Sequence, residues 1–240
     1  MRFTRMLVVV AVSLAAATPL LAQTEEPLKP LRGFGGGGFL VATPTGEFKD
    51  YVGTGFGLGG SFIVDLAPNG IIGLRVAGGF INYGRETKRV CFSQTVGCRI
   101  EVDLTTNNNI VYGNIGPELS FPAGIFRPYF NAGIGFAYFA TTSTVEDIAG
   151  GSNDDIASTT NFDDVTFAWL AGGGLRIRLS SGRTPFHLDF GARYHGNGEV
   201  EYLTEGGIID NSDGSITLNP VRSEANLLTF SIGVAVGVRW

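Results

Sequence analysis

Six charged residues stand where an alternating chain turns them all the same way: Arg75, Glu118, Arg176, Arg178, Asp189 and Arg193. Each falls between apolar or aromatic neighbours, as in "FAWLAGGGLRIRLS" around Arg176 and Arg178 and "FHLDFGARYHGN" around Asp189 and Arg193. Cations and carboxylates that share one enclosed face must pair, because an unpaired buried charge is strongly unfavourable. Two chemistries follow. The leading one is structural, a salt-bridged plug that fixes the register of the strands carrying it. The second is a gate or selective pore lined by the same side chains.

Other candidate groups are weaker. His187 and His195 share that face, but eight residues of strand separate them, about 26 Å at ~3.3 Å per residue, too far for one metal ion. Cys91 and Cys98, in "CFSQTVGC", suit a local disulfide in an exported chain. As metal ligands they are poor, having no histidine nearby. Glu146, Asp147, Asp154, Asp155 and Asp163 make an acidic stretch without Lys or Arg, and "DNSDGS" at 210–215 adds two acids. The spacing is not that of a calcium loop, so a solvated, self-repelling segment is expected. "GFGGGG" and "GFGLGG" both fit G-x-G-x-x-G, yet strand-type alternation follows each, whereas a dinucleotide site needs a helix opening there. No cofactor and no metal are expected.

The elements that must position the charges are strands. From Leu228 to Trp240 every second residue is apolar, while Thr229, Ser231, Gly233, Ala235, Gly237 and Arg239 fill the other face, a period of two. The same pattern runs through 54–66, 70–84, 107–121, 127–141, 164–180 and 186–197. A glycine-rich stretch at 32–42 has no clear register of its own. Eight strands result. Tight turns are expected at 67–69, 122–125 and 181–185, and long polar loops at 43–53, 85–106, 142–163 and 201–225.

Sterics decide which face points inward. One face holds Phe, Leu, Ile, Val and Trp; the other holds glycine, alanine and the scattered charges. The bore of an eight-stranded barrel is only just wide enough for side chains. The bulky face must therefore point outward into lipid, with a narrow polar lumen inside. A soluble ligand-binding barrel would need the reverse, and its glycine-studded exterior would carry too little charge. Residues 1–22 have the layout of a secretory signal peptide: two arginines, an apolar run and a small residue, Ala22, before the cut. Residues 23–31 make a short linker and 32–240 the barrel. Without Arg2 and Arg5 the chain holds 15 Lys+Arg against 22 Asp+Glu, a net −7 that argues against nucleic acid. After residue 22 no apolar run is long enough for a transmembrane helix. Trp240, Phe121, Phe126 and Phe186 are expected in the girdle on the turn side, with Trp169, Phe80 and Tyr138 toward the loop side.

The signal, the eight alternating strands, the alternating connection lengths, "ATPTGEF" after the first strand and the terminal aromatic together resemble the small outer-membrane β-barrel proteins, the OmpA-barrel, OmpX and OmpW-like group. The resemblance covers essentially all of 31–240. It implies an antiparallel up-and-down transmembrane barrel in the outer membrane of a Gram-negative-type bacterium. Its partners would be outer-membrane lipid, lipopolysaccharide and, during insertion, the barrel-assembly machinery that reads a terminal aromatic strand. A monomer without catalytic activity and with an envelope or surface-interaction role is expected. The alternatives are a small porin-like channel and a lipid-modifying enzyme of the PagP kind, with His195 as its base.

Overall fold

The computed structural model describes residues 30–91, 101–121, 123–147, 155–211 and 215–239. The expected signal segment 1–22, Cys98 and Trp240 lie outside the described residues. In chain order the strands are β1 (Leu31–Pro44), β2 (Gly55–Asp65), β3 (Ile72–Cys91), β4 (Glu101–Ser120), β5 (Phe126–Asp147), β6 (Asp155–Arg178), β7 (Phe186–Asn197), β8 (Glu199–Tyr202), β9 (Ile208–Asp210), β10 (Ile216–Leu218), β11 (Val221–Glu224) and β12 (Leu227–Arg239). One 3₁₀ helix, η1 (Gly46–Asp50), follows β1. Strands β1 to β7 and β12 form a closed antiparallel barrel of eight, each paired with its chain neighbour and β12 returning to β1. The short strands pair among themselves, β8 with β11 and β9 with β10.

Alternation sets the two faces as the sterics require. Phe39 is 70% exposed on the barrel's exterior while its neighbour Leu40 is buried inside. Phe56, Phe62, Val76, Ile115, Phe130, Ile134, Phe167, Phe230 and Val234 extend the apolar exterior around the ring. The register of β1, illegible in the sequence, is fixed from both sides: Phe39 lies opposite Ile232 of β12 and Leu58 of β2. A solvated skin of that composition has no physical rationale in water, whereas in lipid it is the favourable surface. Among the described residues no helix is long and apolar enough to cross a membrane. Crossing falls to the strands, whose backbone groups are satisfied because the sheet closes.

Connections are short at the end where Leu31 meets Arg239. There Gly70 and Gly124 adopt φ of +65°, which a side chain would disfavour, in the β2–β3 and β4–β5 turns. At the other end two expected loops, 85–106 and 142–163, are strand over their described residues. The β3–β4 ladder continues to Cys91 opposite Glu101, and β5–β6 continues to Glu146 opposite Asp155. A membrane-spanning strand needs only about 9–11 residues, so β5 with 22 residues and β6 with 24 project far past the bilayer. The reason is compositional. "TTNNN", "TTSTV" and "ASTTN" are polar on both faces, so the apolar rhythm stops, while β-branched threonines keep the backbone extended. The connection at 201–225 likewise contains β9, β10 and β11.

Candidate functional site: the filled lumen

Inward-facing residues of the barrel divide into two zones. The zone nearer the tight turns is charged. Glu118 of β4 is 1% exposed and accepts hydrogen bonds from Arg75 Nη1 of β3 at 2.8 Å and Arg176 Nη2 of β6 at 2.7 Å. The Ser120 hydroxyl donates to the same carboxylate at 3.1 Å. Arg176, fully buried, also has Asp189 of β7 at 3.5 Å from its Nε. Asp189 accepts a hydrogen bond from the Tyr129 hydroxyl at 2.7 Å, and that hydroxyl accepts one from Arg193 Nη2 at 2.9 Å. Arg193 reaches further, donating to Asn131 Oδ1 at 3.3 Å and to Ser231 Oγ at 3.2 Å. The chain of contacts thus ties β3, β4, β5, β6, β7 and β12 across the bore.

Packing holds the guanidinium groups as well as charge does. Arg176 lies 4.2 Å from the Tyr129 ring centre and 4.9 Å from that of Phe34, with Arg127 4.6 Å from Phe34 on another side. Guanidinium groups over desolvated rings gain cation–π attraction of about 2 kcal/mol. Gly174 makes room for this: a Cβ there would stand 2.5 Å from the Tyr129 hydroxyl oxygen.

Five of the six sequence-named charges join this cluster. Arg178 does not. It shares the inward parity of Arg176, opposite His187, but it is exposed and makes no ion pair among the described residues. It is two residues nearer the strand end, so its side chain clears the wall and meets water. Two charged members, Arg127 and Asp65, were missed by the sequence reading, as was Tyr129. Arg127 Nη2 donates to Gly70 O at 2.6 Å and lies 3.8 Å from Asp65 Oδ1. Asp65 carried the right parity but has no near neighbour in sequence to mark it. Arg127 and Tyr129 begin β5 beside Pro128, where the alternation is hard to read.

The zone nearer the long connections is apolar. Phe48, carried on η1, is fully buried between Tyr83 of β3, Phe139 of β5 and Tyr202 of β8, with ring centres 5.8, 6.1 and 5.0 Å away. Leu40, Ile81, Ile110, Val200 and Leu227 complete this cluster. The Tyr202 hydroxyl pairs with Ser223 Oγ at 2.8 Å, and Asn197 Nδ2 donates to Ala225 O at 2.6 Å, holding the returning segment. Among the described residues the buried ion pairs therefore lie in one half only. Between the zones lies a cavity of about 50 Å³ lined by Gly36, Gly59, Tyr112, Arg193 and His195, room for little more than water.

His195 is 4% exposed, with Nε2 3.1 Å from Thr229 Oγ1 and its ring edge-on to Tyr112 at 5.1 Å. No serine–acid pair flanks it among these contacts. Cys91 ends β3 and is not a free thiol; Cys98 lies outside the described residues. Phe121, Phe126 and Phe186 are exposed at the turn end, and Trp169 is exposed on the same outer surface near Tyr194, 5.6 Å away. Among the described residues no cluster of three or more His, Cys, Asp or Glu is placed to hold a metal.

A closed antiparallel barrel of eight with an apolar exterior, short turns at one end and long connections at the other is a transmembrane barrel of the outer-membrane type. No family model matches the sequence, and no curated protein matches it. Solved structures do. Ail, the attachment invasion locus protein of Yersinia pestis, is 12% identical with a TM-score of 0.41, covering 87% of this chain and 99% of that one. Neisserial surface protein A is 13% identical with a TM-score of 0.38, covering 87% and 97%. A major outer membrane protein from Thermus thermophilus is 13% identical with a TM-score of 0.41, covering 84% and 99%.

Proposed function

We propose that this chain is a non-catalytic, non-conducting barrel that holds an outward-projecting sheet for contact at the cell surface. The filling of the bore carries the reading. Ion-paired arginines occupy one half and packed aromatic rings the other, and in this reading the two together close the bore. The tops of β3 to β6 supply a surface that rises beyond the bilayer. In this reading Arg75, Glu118, Arg176, Asp189 and Arg193 close the lumen and lock strand register. Phe121, Phe126, Phe186, Trp169 and Trp240 anchor the barrel at the two interfaces. A Cys91–Cys98 bridge closes the tip of the β3–β4 extension. Outer-membrane lipid and lipopolysaccharide surround a monomer inserted by the barrel-assembly machinery.

Planar-bilayer recording of the refolded chain tests the reading. A flat baseline with no unitary steps is expected. Steady ion-selective conductance would overturn it in favour of a small channel.

A further inference from the structure

Strand β2 begins at Gly55, whereas its neighbour β3 runs on to Cys91. The step left at the outer rim holds a cavity of about 370 Å³. Tyr51, Thr54, Asn82, Arg85, Asn108 and Glu205 line it, drawn from four separate parts of the chain. Two local features make the space. The β3–β4 ladder is irregular between Asn82 and Gly84, and a bulge of this kind re-aims side chains and ends pairing. Gly84 then keeps the space open, since a Cβ there would stand 3.0 Å from Asn108 Nδ2 and 3.5 Å from Glu205 Cγ.

The walls are fixed in place. Arg85 N–H donates to Glu205 Oε1 at 3.3 Å and Gly206 N–H donates to Glu86 Oε2 at 3.2 Å, so the last connection is tied to β3 twice. Asn108 Oδ1 accepts from Thr141 at 2.7 Å; Asn82 Nδ2 donates to Asn109 Oδ1 at 2.9 Å and to Gly84 O at 3.3 Å. These bonds orient both amides. They leave Asn108 Nδ2 as a donor and Asn82 Oδ1 as an acceptor, each without a partner among the described residues.

We propose that this rim cavity binds an uncharged, hydroxyl-rich ligand: a neutral sugar ring. Its volume falls at the lower end of the roughly 300–1,000 Å³ of small-ligand sites. Fixed amides, a carboxylate and threonine hydroxyls match a ligand that both donates and accepts at every carbon. Tyr51, half exposed at the rim, offers an aromatic face for the sugar's C–H surface. Arg85 and Glu205 bring one charge of each sign, so no cationic cluster selects sulfate or phosphate. Phe56 also lines the cavity and is 64% exposed on the lipid-facing exterior. The site therefore opens where the barrel leaves the bilayer, within reach of a glycolipid headgroup as well as of a free glycan.

The inference rests on the surface-contact reading above only for the outward direction of this rim. Its test is titration of the refolded chain, in a phosphocholine detergent free of sugar, with lactose and with sulfated lactose, followed by saturation-transfer NMR. A parallel arm measures flotation with phosphatidylcholine vesicles with and without a neutral galactosyl lipid. Saturable binding of lactose identifies a free glycan; binding seen only with galactosyl-lipid vesicles identifies a headgroup; either supports the site. Tyr51→Ala and Glu205→Gln should each bind about fivefold more weakly, the loss of roughly one net contact. Gly84→Val, which fills the space, should abolish binding while heat-modifiable gel mobility stays that of a folded barrel. Folded wild-type chain that binds neither probe overturns the site, as does equal binding by Tyr51→Ala or a preference for the sulfated sugar. A chain that conducts ions yet binds lactose defeats the closed-barrel reading alone.

Discussion

The two halves of the bore are filled by opposite means. Near the tight turns, Arg75, Glu118, Arg176, Asp189 and Arg193 come from barrel strands and meet across the lumen by ion pairs and hydrogen bonds. Near the long connections, Phe48 and Tyr202 are brought back from outside the barrel wall and packed on Tyr83 and Phe139. The charged half is a property of the wall itself; the apolar half is a cap added to it. In the proposed reading the first locks the register of the ring. The second can loosen while the ring persists.

If the two fillings act in series, only their joint loss opens the bore. Phe48→Ala combined with Arg176→Ala should give measurable ion conductance in planar bilayers, while each single variant stays closed. Conductance from either single variant would show that one half alone seals the bore. Next in size, Glu118→Ala leaves Arg75 and Arg176 buried without their shared anion. Unfolding in micelles should show a loss of about 3–5 kcal/mol for the whole barrel. Phe48→Ala should cost about 3 kcal/mol by the usual scale for a buried phenylalanine, but locally. Amide exchange should rise through 46–54 and 199–203 with the strand amides unchanged. Smallest, Arg178→Ala should shift stability by less than about 0.5 kcal/mol, as for a surface group. A larger loss would place Arg178 inside the cluster after all.

The barrel was legible because period two survives in seven of its eight strands, all but the glycine-rich β1, and one apolar face per strand fixes direction. The charged half followed from the same parity: Arg176, Asp189 and Arg193 needed only their odd or even place. The cap was not legible. Phe48 sits in "GEFKD", and Tyr202 in "EVEY", short polar settings where one aromatic residue marks no strand or helix face. What buries them is contact across more than 150 residues of chain, which leaves no local trace. The tall sheet was missed for a different reason. Its buried positions are themselves polar, as at Thr105, Asn108, Thr141 and Ser143, so these strands have no apolar face to display and extended backbone then looks like loop.

Closure of the ring joins the first strand to the last, with Phe39 opposite Ile232 and Leu31 opposite Arg239. Without β12, β1 and β7 each keep an unpaired side that hydrocarbon cannot solvate. A fragment lacking that segment has no intermediate resting place in a bilayer. Stable residence in the membrane therefore demands β12 in place, and that one strand carries the whole enclosure of the sheet.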